Sequence, residues 1–128
     1  MKQRIVIIDD SPMILKVVRS TLEQAGFEVL ALDDPGDLEP NSPNPPDLVL
    51  VDINMPQFFG DDVVAYFKEE GTLAAPIYLF SNVPEKELEK RAKECGAHGY
   101  ISKDWGVEGM LSAVQMILGQ GARDPNGT

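Results

Sequence analysis

Short apolar runs alternate with longer amphipathic ones along the chain. Ile5 to Ile8 is continuous and β-branched, the pattern of a strand buried on both faces. Pro12 then suits the first turn of a helix, where its missing N–H would have had no partner. Ile14, Val18, Leu22 and Ala25 follow at helical spacing, and Gly26 fits the stop. Phe27 to Leu32 reads as a second strand. From Pro35 to Pro46 the prolines at 35, 40, 43, 45 and 46 leave room for at most a turn or two of helix, near Gly36 to Glu39. Leu48 to Val51 is a third buried strand, and Asp61 to Glu70 a helix with Val63, Val64 and Phe67 inward, closed by Gly71. Ile77 to Phe80, the charged helix Glu85 to Glu94 closed by Gly96, a strand at Tyr100 and Ile101, and a helix from Val107 to Leu118 complete the pattern. Strands alternating with helical slots in this way predict an α/β fold, a parallel sheet with helices on both faces. The segment from Gly119 to Thr128 reads as a fraying tail or the stub of a linker.

Polar residues end the apolar runs, and where they do so is informative. Asp9 and Asp10 follow the first strand, Asp52 the third, Ser81 the fourth and Lys103 the fifth. All stand at carboxyl ends, which in a parallel sheet share one edge, and ligands bind at that edge. Three carboxylates, a hydroxyl and an ammonium would then meet in one crevice. Adjacent carboxylates raise the cost of ionising one another. A hard divalent cation with oxygen ligands relieves that cost, and Mg²⁺ favours few carboxylates together with phosphate oxygens. A carboxylate nucleophile, a metal and a lysine are the parts that phosphoryl transfer needs, since that chemistry rests on positioning and charge.

Composition narrows the classes. The 128 residues include 11 basic and 21 acidic ones, a formal charge of −10. Such a chain gains nothing from counterion release on nucleic acid and is repelled by an anionic membrane surface. No apolar stretch approaches the ~20 residues of a membrane span. The first residues lack a signal-peptide pattern, and the single cysteine, Cys95, cannot form an internal disulfide. A reducing cytoplasm is the expected compartment.

Asp9-Asp10 after the first strand, Asp52-Ile53-Asn54-Met55-Pro56 with Gly60, Ser81, and Tyr100-Ile101-Ser102-Lys103 together resemble the response-regulator receiver domain of two-component signalling. The resemblance runs from Lys2 to about Leu118. It implies a doubly wound, flavodoxin-like five-stranded sheet of order 2-1-3-4-5, with an attenuated second helix, over residues 1–118. It implies a signalling switch rather than a turnover enzyme, in which Asp52 accepts the phosphoryl group. Asp10 and Asp52 would bind Mg²⁺ through side chains, Asn54 through its carbonyl, and Asp9 largely through water. Lys103 would bridge to the phosphate, Ser81 would swing towards it, and Tyr100 would turn inward. A histidine kinase or phosphotransfer protein would be the donor. Output would pass through the fourth helix, fifth strand and fifth helix to a partner that the sequence does not name, nor does it fix an oligomeric state.

Some positions depart from the family pattern. Prolines replace most of the second helix. Asn82 stands where a small residue is usual, and Asp104 where many receivers have a proline preceded by a cis peptide. Without proline the cis form costs ~2.5–4 kcal/mol, so a trans bond between Lys103 and Asp104 is expected. Two other functions compete: a pseudo-receiver that acts as a phosphorylation-independent adaptor, and a haloacid-dehalogenase-like phosphatase. The latter requires an aspartate where Asn54 stands. Taken singly, the same residues have plainer readings. Asp10 or Ser11 could simply cap the first helix, Tyr100 could be strand packing, and His98 a solvated loop residue. Cys95 would be a buried filler, and the charges from Glu85 to Glu94 a solvated face with pairs such as Glu87 and Arg91. Phe59 would tuck under its loop, whereas Phe58 sits where an exposed aromatic could dock a partner.

Overall fold

Alternation along the two central strands divides the core. In β1 (Arg4–Ile8), Ile5 and Ile7 face one side of the sheet while Val6 and Ile8 face the other. In β3 (Leu48–Val51), Leu48 and Leu50 join the first side, Val49 and Val51 the second. A strand whose neighbours both alternate into hydrocarbon must be covered on both faces, and helices do so here.

A computed structural model of the chain describes residues 2–38, 44–54, 62–65, 67 and 74–119. Its other elements are β2 (Glu28–Leu32), β4 (Ile77–Ser81), β5 (Gly99–Ser102), α1 (Pro12–Gln24), a helical stretch at 62–65 and 67 (α2), α3 (Glu85–Cys95) and α4 (Gly106–Ile117). All strand pairs are parallel, and the order is β2-β1-β3-β4-β5. The expected doubly wound sheet and its strand order are therefore observed. Val18 and Leu22 of α1 pack with Met110 and Val114 of α4 over Ile5, Ile7 and Leu50. On the other face Val63, Val64, Phe67, Leu88 and Ala92 cover Val6, Val49 and Leu79. Between β2 and β3 the described residues hold a single 3-10 turn, Pro35–Asp37. Among the described residues no helix is long and apolar enough to cross a membrane.

Several boundaries move for a physical reason. Ser81 belongs to β4 rather than following it, because it pairs with Ser102 in the β4–β5 ladder. The same pairing extends β5 to Gly99–Ser102, and a 3-10 turn, Lys103–Trp105, precedes the last helix. Gly96 ends α3 in the left-handed region at φ 83°, as its position suggested. Glu87 pairs with Arg91 as expected, at 3.7 Å. Cys95 is half-buried rather than buried. His98 is exposed, but it is more than a loop residue: its Nδ1 accepts the Ile77 N–H at 3.2 Å and its own N–H donates to the Ile77 carbonyl at 2.9 Å. Phe58, Phe59, Gly60, Met55, Pro56 and Gly71 lie outside the described residues, as does everything after Gly119.

Leu50, with no exposed surface, anchors the strand that ends at Asp52. Leu50→Ala is expected to lower stability by about 2–5 kcal/mol through lost burial and the cavity left behind. Urea unfolding midpoints measure this, and a loss well under 1 kcal/mol would contradict the packing described.

The acidic pocket at the carboxyl edge of the sheet

Two backbone hydrogen bonds carry the ladder past the strand ends. Asp9 N–H donates to the Leu32 carbonyl at 3.0 Å, and Asp52 N–H donates to the Ile8 carbonyl at 2.9 Å. These bonds fix Asp9 and Asp52 side by side at the end of the two central strands. Both are buried, whereas Asp10 is exposed. Carboxylate oxygens of Asp9, Asp10 and Asp52 lie within 4.8 Å of one another.

Each buried acid is also tied to the loop behind it. Asp9 Oδ1 accepts the Ser11 N–H at 2.9 Å, and Asp52 Oδ1 accepts the Asn54 N–H at 3.1 Å. Ser11, not Asp10, caps α1, its Oγ accepting the Ile14 N–H at 3.3 Å. Asp10 is thus left to the pocket.

Lys103 supplies the opposing charge. Its Nζ sits 2.8 Å from Asp9 Oδ2 and 3.7 Å from Asp52 Oδ1. The ammonium also lies 5.3 Å from the centre of the Phe80 ring. Phe80 pairs with Ile101 across β4 and β5, and Lys103 opens the 3-10 turn that follows β5. Among the described residues no peptide is cis, and the Lys103–Asp104 bond is accordingly trans. Asp104 N–H is held instead by Ser102 Oγ at 3.1 Å.

Among the described residues, three carboxylates against one ammonium leave the pocket under-neutralised. Burial pushes the Asp52 carboxyl above its ordinary value of 3.8. The Asn54 N–H opposes that rise, Asp9 adds to it, Lys103 opposes it, and Asp10 adds a little more. Asp9 Oδ2, although close to Lys103, is buried and receives no aligned hydrogen bond among the described residues. Oxygen donors of this kind, few in number and short of positive charge, fit a hard divalent cation such as Mg²⁺.

Ser81 is fully buried at the end of β4. Its Oγ accepts the Val83 N–H at 3.3 Å and lies 3.5 Å from Asn54 Nδ2, which joins it to the Asp52 loop. The fold thus gathers Asp9, Asp10, Asp52, Asn54, Ser81 and Lys103 at one edge. A match to the family described as the response regulator receiver domain spans residues 5–115.

The chain belongs to the receiver-domain family.

This receiver is 30% identical over 115 residues to the transcriptional regulatory protein KdpE of Mycobacterium tuberculosis, a match covering 89% of the chain and 50% of KdpE. It therefore spans about half the length of that curated relative. It is 26% identical over 121 residues to the polar-differentiation response regulator DivK of Brucella anthropi, covering 93% of the chain and 98% of DivK. Among solved structures, the chemotaxis response regulator CheY4 of Vibrio cholerae superimposes with a TM-score of 0.80 at 26% identity, covering 91% of this chain and 99% of CheY4.

Tyr100 of the receiver makes its polar contact away from the pocket. Its hydroxyl donates to Glu85 Oε2 at 3.3 Å, and its ring centre is 6.0 Å from that of Trp105. Neither Glu85 nor Trp105 stood out in the sequence as a site residue. The one available sign was position: Glu85 lies four residues after Ser81, and Trp105 two after Lys103.

The raised Asp52 pKa has a definite sign for stability. Between the ordinary carboxylate value and the raised one, the folded receiver binds more protons than the unfolded chain. Stability therefore falls as pH rises through that window, and the full cost is present above it. Asp52→Asn removes the charge but keeps an oxygen for the Asn54 N–H. In chelator at neutral pH this variant is expected to be about 0.5–2 kcal/mol more stable. The gain should vanish in acid, where Asp52 is protonated in both states. Thermal unfolding across pH checks this, and a variant less stable at neutral pH contradicts it.

Proposed function

We propose that this chain is the phosphoryl-accepting receiver of a two-component pathway and that Asp52 is its acceptor. The observation that carries this reading is the Lys103 ammonium held between Asp9 and Asp52 in an otherwise anionic pocket. An Asp52 carboxylate oxygen forms the new O–P bond as the bond from phosphorus to the donor's leaving group breaks. The leaving group departs with that electron pair and takes a proton from solvent. Water attack on the same phosphorus later releases inorganic phosphate and restores the carboxylate. The chain performs no turnover beyond this acceptance and hydrolysis.

Asp9, Asp10, the Asp52 side chain and the Asn54 carbonyl are the groups that would hold Mg²⁺, with Asp9 acting largely through water. Bound Mg²⁺ supplies charge neutralisation and orientation to an incoming phosphoryl group. Lys103 turns from the carboxylates towards a phosphoryl oxygen, with the Phe80 ring limiting its sweep. Ser81 donates its hydroxyl to another oxygen. Doing so requires its loop to move, and Tyr100 takes up the space, changing the surface formed by α3, β5 and α4. The receiver works in the cytoplasm, its phosphoryl donor is a histidine kinase or phosphotransfer protein, and its output is a protein or domain rather than direct contact with nucleic acid or membrane. Residues 1–118 form the receiver proper, and those from Gly119 a tail or linker.

With a small phosphodonor such as acetyl phosphate and Mg²⁺, the wild-type chain is expected to become labelled and Asp52→Asn to stay unlabelled. Chelation should abolish labelling in the wild type. Undiminished labelling of Asp52→Asn would sink the assignment of the acceptor. A wild type that stays unlabelled by donor and Mg²⁺ would favour a phosphorylation-independent adaptor instead.

A further inference from the structure

We infer that Glu85 and Trp105 are additional positioning residues of the switch, forming with Tyr100 a latch that favours the unphosphorylated state. The latch deepens the phosphoacceptor reading above and rests on it. Glu85 opens α3, and both of its carboxylate oxygens are engaged. Oε2 accepts the Tyr100 hydroxyl at 3.3 Å, and Oε1 accepts the Trp105 indole N–H at 3.0 Å. One side chain thus joins β5, the turn after it, and the first turn of α3.

Trp105 keeps 41 % of its surface exposed, yet its place is defined by its neighbours. A side chain at Gly109 would place its Cβ 2.6 Å from Trp105 Cβ, so the bare backbone there lets the tryptophan lie against the first turn of α4. Its ring meets that of Tyr100 at an interplanar angle of 46°. Partial removal from water, then the charge and hydrogen bond of Glu85, raise the Tyr100 phenol above its usual value.

The latch is connected to the pocket by a short, stiff link. Ser81 Oγ accepts the Val83 N–H, and only residues 82–84 separate Ser81 from Glu85. Pro84 sits at φ −51° immediately before the helix, which removes slack from that link. When Ser81 and its loop move to bring the hydroxyl to a phosphoryl oxygen, the start of α3 shifts with them through residues 82–84. Glu85 then leaves both aromatic donors together. A bond present in only one of two states moves the equilibrium by its own differential energy, so the latch lowers the population ready for phosphate. Trp105 becomes a second aromatic whose surroundings change with the switch.

Trp105 is the sole tryptophan of the chain, so its emission reads this one place. Beryllofluoride with Mg²⁺ is titrated into the intact chain while Trp105 emission and bound fluoride, by fluorine NMR, are followed together. In the wild type the emission should shift in step with bound fluoride. In Glu85→Ala the free protein should already emit near the bound value, with a midpoint roughly threefold to tenfold lower for the two hydrogen bonds lost. Trp105→Phe keeps a ring but lacks the N–H, and by fluorine NMR its midpoint should fall by less. Bound fluoride with a silent Trp105 in the wild type, or an unchanged midpoint in Glu85→Ala, overturns the latch and leaves the acceptor site standing. No bound fluoride in the wild type overturns the acceptor reading and the latch with it.

Discussion

The contact on which the rest depends is the Lys103 ammonium, 2.8 Å from Asp9 and 3.7 Å from Asp52. Without it two buried carboxylates would face each other with a third at the rim, an arrangement that burial makes costly. With it the pocket is tolerable but still short of positive charge. That residue of unbalanced charge ties the proposed function to stability, because a bound cation would relieve it. The Asp52 carboxyl, raised above its ordinary value, reflects the same imbalance. The excess of negative charge at this edge is therefore a property of the folded state itself.

The hydrophobic core makes such a pocket possible. The central strands are buried on both faces, and their ends can be held rigidly by ladder bonds at Asp9 and Asp52. The ladder of β4 and β5 ends at Ser81 and Ser102, and the turn that follows carries the Lys103 ammonium over the Phe80 ring. Ser81 occupies the last rung of β4 and contacts both the Asp52 loop and the loop leading to α3. A local change of charge at Asp52 thus has a physical path to Glu85, Tyr100 and Trp105. Each step along it is a hydrogen bond or a short covalent link.

Much of this was legible in the residues alone. Short apolar runs ended by Asp9, Asp52 and Ser81, with Lys103 just past Ile101, locate the strands and their shared edge, because the interior strands of a parallel sheet are buried on both faces until they end. The seating of Ser11 as the cap of α1 was one of two options, and geometry decides it: its Oγ reaches the Ile14 N–H. Strand ends were less legible, since Ser81 and Ser102 extend β4 and β5 by pairing with each other, a relation that no local pattern contains. Glu85 read as one charge on a solvated helix because its partners are 15 and 20 residues away. His98 hid its backbone bond to Ile77 for the same reason.

Mg²⁺ titration followed by thermal unfolding tests the central claim most directly, with matched ionic strength in every sample. An under-neutralised pocket predicts saturable stabilisation of the wild type by Mg²⁺, as a ligand that binds only the folded state must give. It also predicts that the stabilisation is largely lost in Asp10→Ala, whose side chain caps no helix here. A wild type whose unfolding temperature is indifferent to Mg²⁺, or equal stabilisation of wild type and Asp10→Ala, would contradict the claim that the carboxylates of Asp9, Asp10 and Asp52 form a cation-accepting pocket.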